Sequence, residues 1–350
     1  MPKSRHRFFP LSTVFLLGSL AACAPTESQQ PVFRSGVEPG PFPWTREPDA
    51  NDGPLRFAIL GDRTGGMYPG VFEGAFPKVN LLQPDLVMSV GDVTETWLAK
   101  DREGVVAAWE ELDALAAGLD APMFYTVGNH DYGDERAADV WRERYGPSYY
   151  HFVYKDVLFI ITNTEDPPNG GPAPDVYGEA MAALELRRRE PDAPGSAAFA
   201  ERRAAGLARR PSRRIGAISD AQASLVRSAI EENPDVQWTF LFAHQPSWES
   251  VDIDPNFLAI EEALAGRDFT YFAGHNHSYL YVERNGQDYV RLATTGGTWV
   301  EPGGRAGEFD HITWVTMTEE GPVIANIELD GIFDKTGERT VLRSPPGGWN

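Results

Sequence analysis

Five short polar clusters along the 350-residue chain carry the residue types that bind divalent cations. Each cluster follows an apolar run that predicts a buried strand, as residues 55–60 do ahead of Gly61. The candidate residues are Asp62, Asp92, Asn129, His130, Asp131, His244, His275 and His277. Carboxylate, amide and imidazole donors suit first-row divalent metals. One carboxylate can bridge two such ions, and two ions about 3.5–4 Å apart can hold a phosphoryl group in line with an attacking oxygen.

The elements that must position these clusters alternate in type. Predicted strands at 55–60, 86–90 and 123–127 alternate with predicted helices at 71–82 and 104–118. This order is typical of βαβ units and predicts an α/β domain. Because ligands gather where the carboxyl ends of parallel strands meet, we expect the clusters to converge at one edge of the fold.

Further strands continue the pattern towards the C-terminus. Residues 149–162 predict a hairpin, and the strands predicted at 238–243 and 269–273 lead directly into His244 and the second histidine cluster. Antiparallel strands are predicted between residues 279 and 329. This half of the chain therefore supplies histidine donors to the same edge.

An insertion of different composition separates the two halves. Residues 165–215 begin as a Pro/Gly loop and become rich in Ala and Arg. One interpretation is a solvated helical excursion, and the other is a basic lid that contacts an anionic substrate.

The clusters resemble, in order, the motifs of the calcineurin-like metallophosphoesterase family. Those motifs are D-x-H, G-D, G-N-H-[DE], H and G-H-x-H, each after a strand. The corresponding residues are Gly61-Asp62-Arg63-Thr64, Gly91-Asp92, Gly128-Asn129-His130-Asp131, His244 and Gly274-His275-Asn276-His277. The resemblance spans about residues 55–330. It implies an α/β fold of two mixed β-sheets packed face to face and flanked by helices, a four-layer αββα sandwich.

The resemblance also implies a metal ligand set. Asp92 would bridge two divalent ions, which would be Mn, Fe, Zn or Mg, and Asp62 and His277 would complete the first site. The second site would add Asn129, His244 and His275. A single ion is the alternative to a pair.

The remaining residues of the third motif would take catalytic roles. His130 would stabilise the developing phosphoryl charge or protonate the leaving oxygen, and Asp131 would orient His130. The implied reaction is hydrolysis of a phosphate mono- or diester by in-line attack of a metal-bound hydroxide.

The first motif departs from the family pattern. Thr64 stands where the family has a histidine, which removes one imidazole from the first metal site and favours a harder ion. Arg63 and Thr64 are candidates for substrate contact or weak metal ligation. Glu95 stands where purple acid phosphatases carry a tyrosine, so we do not expect a ferric purple site.

The N-terminus has the order of an export signal. Residues 1–7 are basic and residues 8–22 form an apolar run shorter than a membrane span. The small residues before Cys23 resemble a bacterial lipobox, in which the chain is cut before the cysteine and the sulfur is acylated. An ordinary signal peptide with an incidental cysteine is the alternative. We expect a lipid-anchored protein of the bacterial cell envelope facing the periplasm, with the outer membrane favoured, or an exported one.

Composition limits the partners. The chain has 51 Asp and Glu against 31 Lys and Arg, a formal charge of −20 that repels polymeric nucleic acid. A small phosphate ester stays compatible, because bound metal ions reverse the local field. A single cysteine allows neither an internal disulfide nor a multi-cysteine zinc site. The composition favours no particular oligomeric state.

The predicted organisation has four parts. A signal peptide at 1–22 precedes a Pro-rich tether at 23–54, a metallophosphoesterase domain at 55–330 and a polar tail at 331–350.

Three functions fit these parts. They are a two-metal phosphoesterase, a one-metal phosphoesterase altered by Thr64, and a noncatalytic lipoprotein that binds a phosphate ligand. His130 favours catalysis, because a binding module needs no proton donor beside its metal.

Overall fold

A computed structural model describes residues 33–38, 40–168, 170, 174–189, 215–299 and 306–336. The strands in chain order are β1 (Arg34–Ser35), β2 (Arg56–Leu60), β3 (Leu86–Ser89), β4 (Met123–Phe124), β5 (Tyr150–Tyr154), β6 (Val157–Ile161), β7 (Trp238–Phe242), β8 (Phe269–Ala273), β9 (Leu280–Arg284), β10 (Gln287–Arg291), β11 (His311–Thr318) and β12 (Gly321–Glu328). The α-helices are α1 (Val71–Leu82), α2 (Arg102–Ala116), α3 (Glu135–Tyr145), α4 (Pro174–Arg189), α5 (Asp220–Glu232) and α6 (Pro255–Ala263). Short 3-10 turns lie at Thr96–Leu98, Ser247–Glu249 and Leu329–Gly331.

The strands form two mixed sheets. The first sheet has the order β1-β5-β6-β7-β8-β10-β9, and the second has the order β12-β11-β2-β3-β4. In the second sheet β2, β3 and β4 are parallel, while β11 runs antiparallel to β2 and β12. In the first sheet β6, β7, β8 and β10 are parallel. Each sheet therefore has a parallel block whose carboxyl ends share one edge.

The two sheets pack face to face through aromatic side chains. Phe57 of β2 meets Phe240 of β7 edge to face at 5.0 Å between ring centroids. Phe124 of β4 stacks on Phe152 of β5 at 4.4 Å. Because side chains alternate along a strand, the odd-numbered positions of β2 enter this core while Ala58 and Leu60 face the other way.

Helices cover both outer faces. Trp109 of α2 and Trp141 of α3 pack in the core outside the second sheet, and Val226 of α5 and Phe257 of α6 pack in the core outside the first. Helix starts follow ordinary capping chemistry; Ser219, for example, accepts from the backbone N–H of Gln222. The predicted four-layer αββα arrangement of an α/β fold is confirmed.

Residues 33–54 differ from the predicted tether. Strand β1 pairs with the edge strand β5, and Trp44 stacks on Phe124 at 5.4 Å. The backbone N–H of Thr45 donates to Met123, which joins the segment to the second sheet. This stretch is an edge strap across both sheets, because its aromatic residues complete the core between them.

The other predicted boundaries meet the described residues only in part. Residues 331–336 belong to the domain at their start, since Ile332 is buried and its carbonyl accepts from Lys78 at 2.6 Å. Of the insertion, helix α4 is described, and residues 190–214 lie outside the described residues, as do Cys23 and residues 337–350. Among the helices that are described, none is both long and apolar enough to cross a membrane.

Candidate metal centre

The predicted polar clusters lie at the carboxyl ends of both parallel blocks. Asp62 follows β2, Asp92 follows β3, and the segment 129–131 follows β4. From the other sheet, His244 follows β7, and His275 and His277 follow β8. The edges of the two packed sheets thus form one site.

Two groups of donors share one carboxylate. Asp92, His244 and His275 each offer a ligand atom within 4.8 Å of the others, and so do Asp62, Asp92 and His277. We call these the second and the first donor group. Oδ2 of Asp92 lies 3.2 Å from Nε2 of His244, and Oδ2 of Asp62 lies 3.4 Å from Nε2 of His277.

The second donor group places several ligand atoms within hydrogen-bonding distance of Nε2 of His244. Nε2 of His244 lies 3.1 Å from Oδ1 of Asn129, 3.2 Å from Oδ2 of Asp92 and 3.2 Å from Nδ1 of His275. Nδ1 of His244 faces the carbonyl of Val90 at 2.9 Å and carries the proton there. Amide, carboxylate and imidazole ligand atoms thus surround Nε2 of His244, and this donor set fits a bound divalent cation.

The side chains of the first donor group are also oriented so that they could bind a cation. Nδ1 of His277 donates to the carbonyl of Thr298 at 2.7 Å, which turns Nε2 towards Asp62. Oδ1 of Asp62 is buried and has no hydrogen-bond partner in the described part of the chain. An unsatisfied carboxylate oxygen beside an imidazole lone pair suits a divalent ion.

The backbone at these positions is strained. Asp92, His275 and His277 have φ values of 54°, 73° and 53°, in the left-handed region that non-glycine residues rarely occupy. A β carbon at Gly128 would collide with Oδ1 of Asp92, and one at Gly274 would collide with Oδ1 of Asp62. Packing holds this geometry, as is common at functional sites.

Charge within the site is strongly coupled. Burial opposes ionisation of Asp92, but His244 and His130 outweigh it and hold the pKa of Asp92 well below its usual range. Burial of His244 would lower the pKa of its ring, but the Asp92 carboxylate raises that pKa to about 10. Burial and the neighbouring His244 lower the pKa of His275 to about 3, which favours the neutral imidazole, the form that binds cations.

His130 lies beside the shared carboxylate. Its Nε2 is 3.8 Å from Oδ2 of Asp92, and its Nδ1 is 2.8 Å from Oε1 of Glu95. Burial would lower the pKa of His130, but Asp92 and Glu95 raise it to about 9. The ring lies on Trp97 with centroids 3.9 Å apart. Glu95 therefore fixes the orientation of the His130 ring and favours its protonated form.

The prediction that Asp131 orients His130 is wrong in this geometry. Both carboxylate oxygens of Asp131 accept from other groups: Oδ2 from the backbone N–H of Asp92 at 2.6 Å and Oδ1 from Thr94. Asp131 thus fixes the loop that carries Asp92. Burial raises its pKa to about 7.

Thr64 and Arg63 are both buried but engaged elsewhere. The Thr64 hydroxyl donates to the carbonyl of Asp92 at 2.9 Å, so it braces the loop of the shared carboxylate. The Arg63 guanidinium pairs with Glu73 of α1 at 2.7 Å and with Glu111 of α2. Those contacts direct Arg63 to the helix layer and give it a structural role in place of substrate contact.

Three residues around the site were not among the predicted site residues. Glu95 had a sequence signal, since it lies three residues after Asp92, but its contact with His130 needs the fold. Glu165 follows β6 and accepts from Gln245, beside His244, and burial raises its pKa to about 7. Tyr177 enters from α4 and had no signal in an Ala- and Arg-rich segment.

Comparison with known protein families gives one match. A family model described as calcineurin-like phosphoesterase matches residues 55–279. No protein of curated function matches the sequence.

Solved structures with a similar chain path share little sequence. GAP50, described as the anchor in the inner membrane complex of Plasmodium, is 16% identical over 82% of this chain and 87% of its own, with a TM-score of 0.45. Purple acid phosphatase PPD1 from yellow lupin is 14% identical over 81% of this chain and 53% of its own, with a TM-score of 0.47. A putative 5'-nucleotidase from Staphylococcus aureus is 14% identical over 82% and 56%, with a TM-score of 0.45. The chain spans about half the length of the latter two.

Proposed function

The chain belongs to the calcineurin-like phosphoesterase family, and we propose that it hydrolyses a phosphate mono- or diester with the aid of divalent cations. The observation that carries the proposal is the position of Asp92. Its carboxylate is shared by two donor groups and lies 3.8 Å from a protonated His130. A cation site and a proton source therefore adjoin each other.

The two donor groups divide the work of holding the cations. Asp62, Asp92 and His277 would hold one, and Asp92, His244 and His275, with the amide oxygen of Asn129 beside them, would hold the other. Bound cations would supply Lewis-acid chemistry that activates water and draws charge from the phosphoryl oxygens. The backbone bonds of His244 and His277 fix which ring nitrogen each presents.

His130 supplies the proton that the leaving oxygen needs. Its Nδ1 is held by Glu95, which directs Nε2 towards Asp92 and the space above the donor groups. When the bond from phosphorus to the leaving oxygen breaks, Nε2–H passes its proton to that oxygen and the ring becomes neutral. The Glu95 carboxylate then favours uptake of a new proton from water, because it stabilises the imidazolium.

The proposal includes the membrane anchor at Cys23. The basic, apolar and small-residue order before Cys23 supports it, and the domain would then face the periplasm. Packing of the strap begins at Phe33, ten positions after Cys23, so the acylated sulfur and the domain would be linked by a chain that reaches at most about 35 Å. Labelling with a radioactive fatty acid tests this: the full chain should take up label and Cys23→Ser should not.

Metal counting with an ester panel tests the catalytic proposal. We expect two Mn²⁺ per chain by mass spectrometry and turnover of at least one phosphomonoester or phosphodiester. The three donors of the first group, with Thr64 bonded to a backbone carbonyl, favour a one-metal enzyme as the second candidate. One cation with turnover would select that candidate. Cations without turnover on the whole panel would overturn catalysis.

A further inference from the structure

Tyr177 links the inserted helix α4 to the proton donor. Its ring is buried, and its hydroxyl donates to Oε2 of Glu95 at 2.7 Å. The same hydroxyl oxygen lies 3.3 Å from Nδ1 of His130. The ring meets Trp97 edge to face with centroids 5.3 Å apart.

These contacts form a closed arrangement around one imidazole. Trp97 supports the face of His130, and Glu95 Oε1 accepts from its Nδ1. Tyr177 donates to the other Glu95 oxygen, Oε2, which also accepts a long hydrogen bond of 3.4 Å from the N–H of Gly65. Burial, with the charge of Glu95, raises the pKa of Tyr177 well above its usual range, so the phenol keeps its proton.

A carboxylate held at one oxygen only can rotate about its terminal bond. Rotation would swing Oε1 away from Nδ1 and release the imidazole from the orientation that aims Nε2 at Asp92. Holding both oxygens prevents this. The hydroxyl of Tyr177 is therefore placed to keep the Glu95 carboxylate hydrogen-bonded to Nδ1 of His130.

We propose that Tyr177 is a positioning residue that acts through Glu95 to aim His130 at the leaving oxygen, so that the inserted helix completes the proton-donating side of the site. The proposal rests on the proposed phosphoesterase function. It goes beyond that function by assigning the inserted segment a part in the reaction.

Helix α4 has a second contact, at Leu184, which allows attachment of the helix to be tested separately from the orientation of Glu95. Leu184, two turns beyond Tyr177, is buried, and a β carbon at Gly66 would collide with it. Leu184 therefore holds α4 against the loop after Thr64 without a polar contact to Glu95 or His130. Leu184→Ala weakens this apolar contact of α4 and leaves every polar partner of the Tyr177 hydroxyl in the chain.

Two esters with different leaving groups report on proton donation. An alkyl phosphate needs a proton at its leaving oxygen, whereas 4-nitrophenyl phosphate releases a stable anion without one. In Tyr177→Phe, which keeps the ring, we expect kcat on the alkyl ester to fall about tenfold, with KM and kcat on the nitrophenyl ester within about twofold of the wild type. Leu184→Ala should change both esters by the same factor. Equal effects of Tyr177→Phe on both esters, or no effect, would overturn the proposal.

A spectroscopic measurement separates failure of this proposal from failure of the proposed function. The Nδ1 proton of His130, identified by its loss in His130→Gln, should give a downfield NMR resonance in the wild type loaded with Mg²⁺, which is diamagnetic and does not broaden nearby resonances. We expect Tyr177→Phe to shift or broaden that resonance and Leu184→Ala to leave it in place. If the wild type hydrolyses neither ester, the proposed function fails. An unchanged resonance in Tyr177→Phe would then still refute the positioning role.

Discussion

The first and second donor groups share Asp92 yet differ in what surrounds it. The second group has His244, His275 and the amide oxygen of Asn129 around the shared carboxylate. The first has only Asp62 and His277 besides Asp92, with a Thr64 hydroxyl that is turned to a backbone carbonyl. One bridging carboxylate can thus serve two sites of unequal strength, and the poorer site is the one where the family pattern is broken.

The loops that carry the histidines of both groups are braced by a polar network. Glu249, after β7, pairs with Arg291 at the end of β10, and Nε of Arg291 donates to the carbonyl of Ser278 at 2.8 Å. Asn276 donates to Glu249 across the same gap at 3.3 Å. This network joins the His244 loop to the loop that carries both His275 and His277, so it supports a ligand of each group. The second group is expected to hold its cation more tightly because the amide oxygen of Asn129 adds a donor beside its histidines.

The largest effect is expected from replacing Asp92, the residue that both donor groups share. Asp92→Asn should abolish binding of both cations and lower kcat/KM roughly a thousandfold, about 4 kcal/mol of transition-state stabilisation. Metal analysis and ester turnover measure it. Asp85→Asn, at the opposite end of the same strand, is the matched control, because Asp85 pairs with Lys155 and not with the site. It should keep both cations; retention of both by Asp92→Asn would refute the shared carboxylate.

The next effect separates the groups. His244→Ala should remove the second cation and leave the first, while His277→Ala should do the reverse, each with roughly a hundredfold loss of kcat. Mass spectrometry of the native protein counts the ions. His311→Phe controls for loss of a buried histidine, since both of its ring nitrogens lack a partner among the described residues. Full activity and two cations in His244→Ala would contradict the ligand assignment.

A substitution that strengthens cation binding by the first donor group tests the comparison further. Thr64→His should strengthen cation binding by the first group about tenfold, because it adds an imidazole donor where three donors now stand. Competition with a metal indicator measures both affinities in one titration. Thr64→Val, which keeps the shape and lacks the hydroxyl, should show no such gain. If the first affinity is the same in Thr64→His and the wild type, position 64 does not face the cation.

The smallest effect concerns Arg63, beside the first group. Arg63→Met removes the guanidinium, whose carbon lies 5.2 Å from the Phe72 ring centroid, and with it the pairs with Glu73 and Glu111. Both glutamates are partly exposed, so we expect the free energy of unfolding to fall by only about 1 kcal/mol, with KM unchanged. Chemical denaturation and ester kinetics measure the two. A raised KM at unchanged stability would indicate that Arg63 contacts the substrate.

Sequence patterns predicted most of the fold because they reflect local chemistry. Strand β2 and the helix over 71–82 follow from hydrophobic periodicity, and Ser219 marks the start of α5 by its capping oxygen. The strap was mistaken for a tether, since its prolines suggest an extended chain and its aromatic partners, such as Phe124, lie far away in sequence.

The sequence by itself determined which donors the site contains and which strands deliver them, since residue type and order are local properties. Only the tertiary structure decided how they pair. In the fold His130 is hydrogen-bonded to Glu95, and Asp131 accepts from the backbone of Asp92. Arg63 pairs with a glutamate of the helix layer, and Tyr177 of the inserted segment donates to Glu95. These pairings depend on side-chain direction across packed layers, where contacts of a few ångströms join residues up to 82 positions apart. No spacing along the chain fixes that direction.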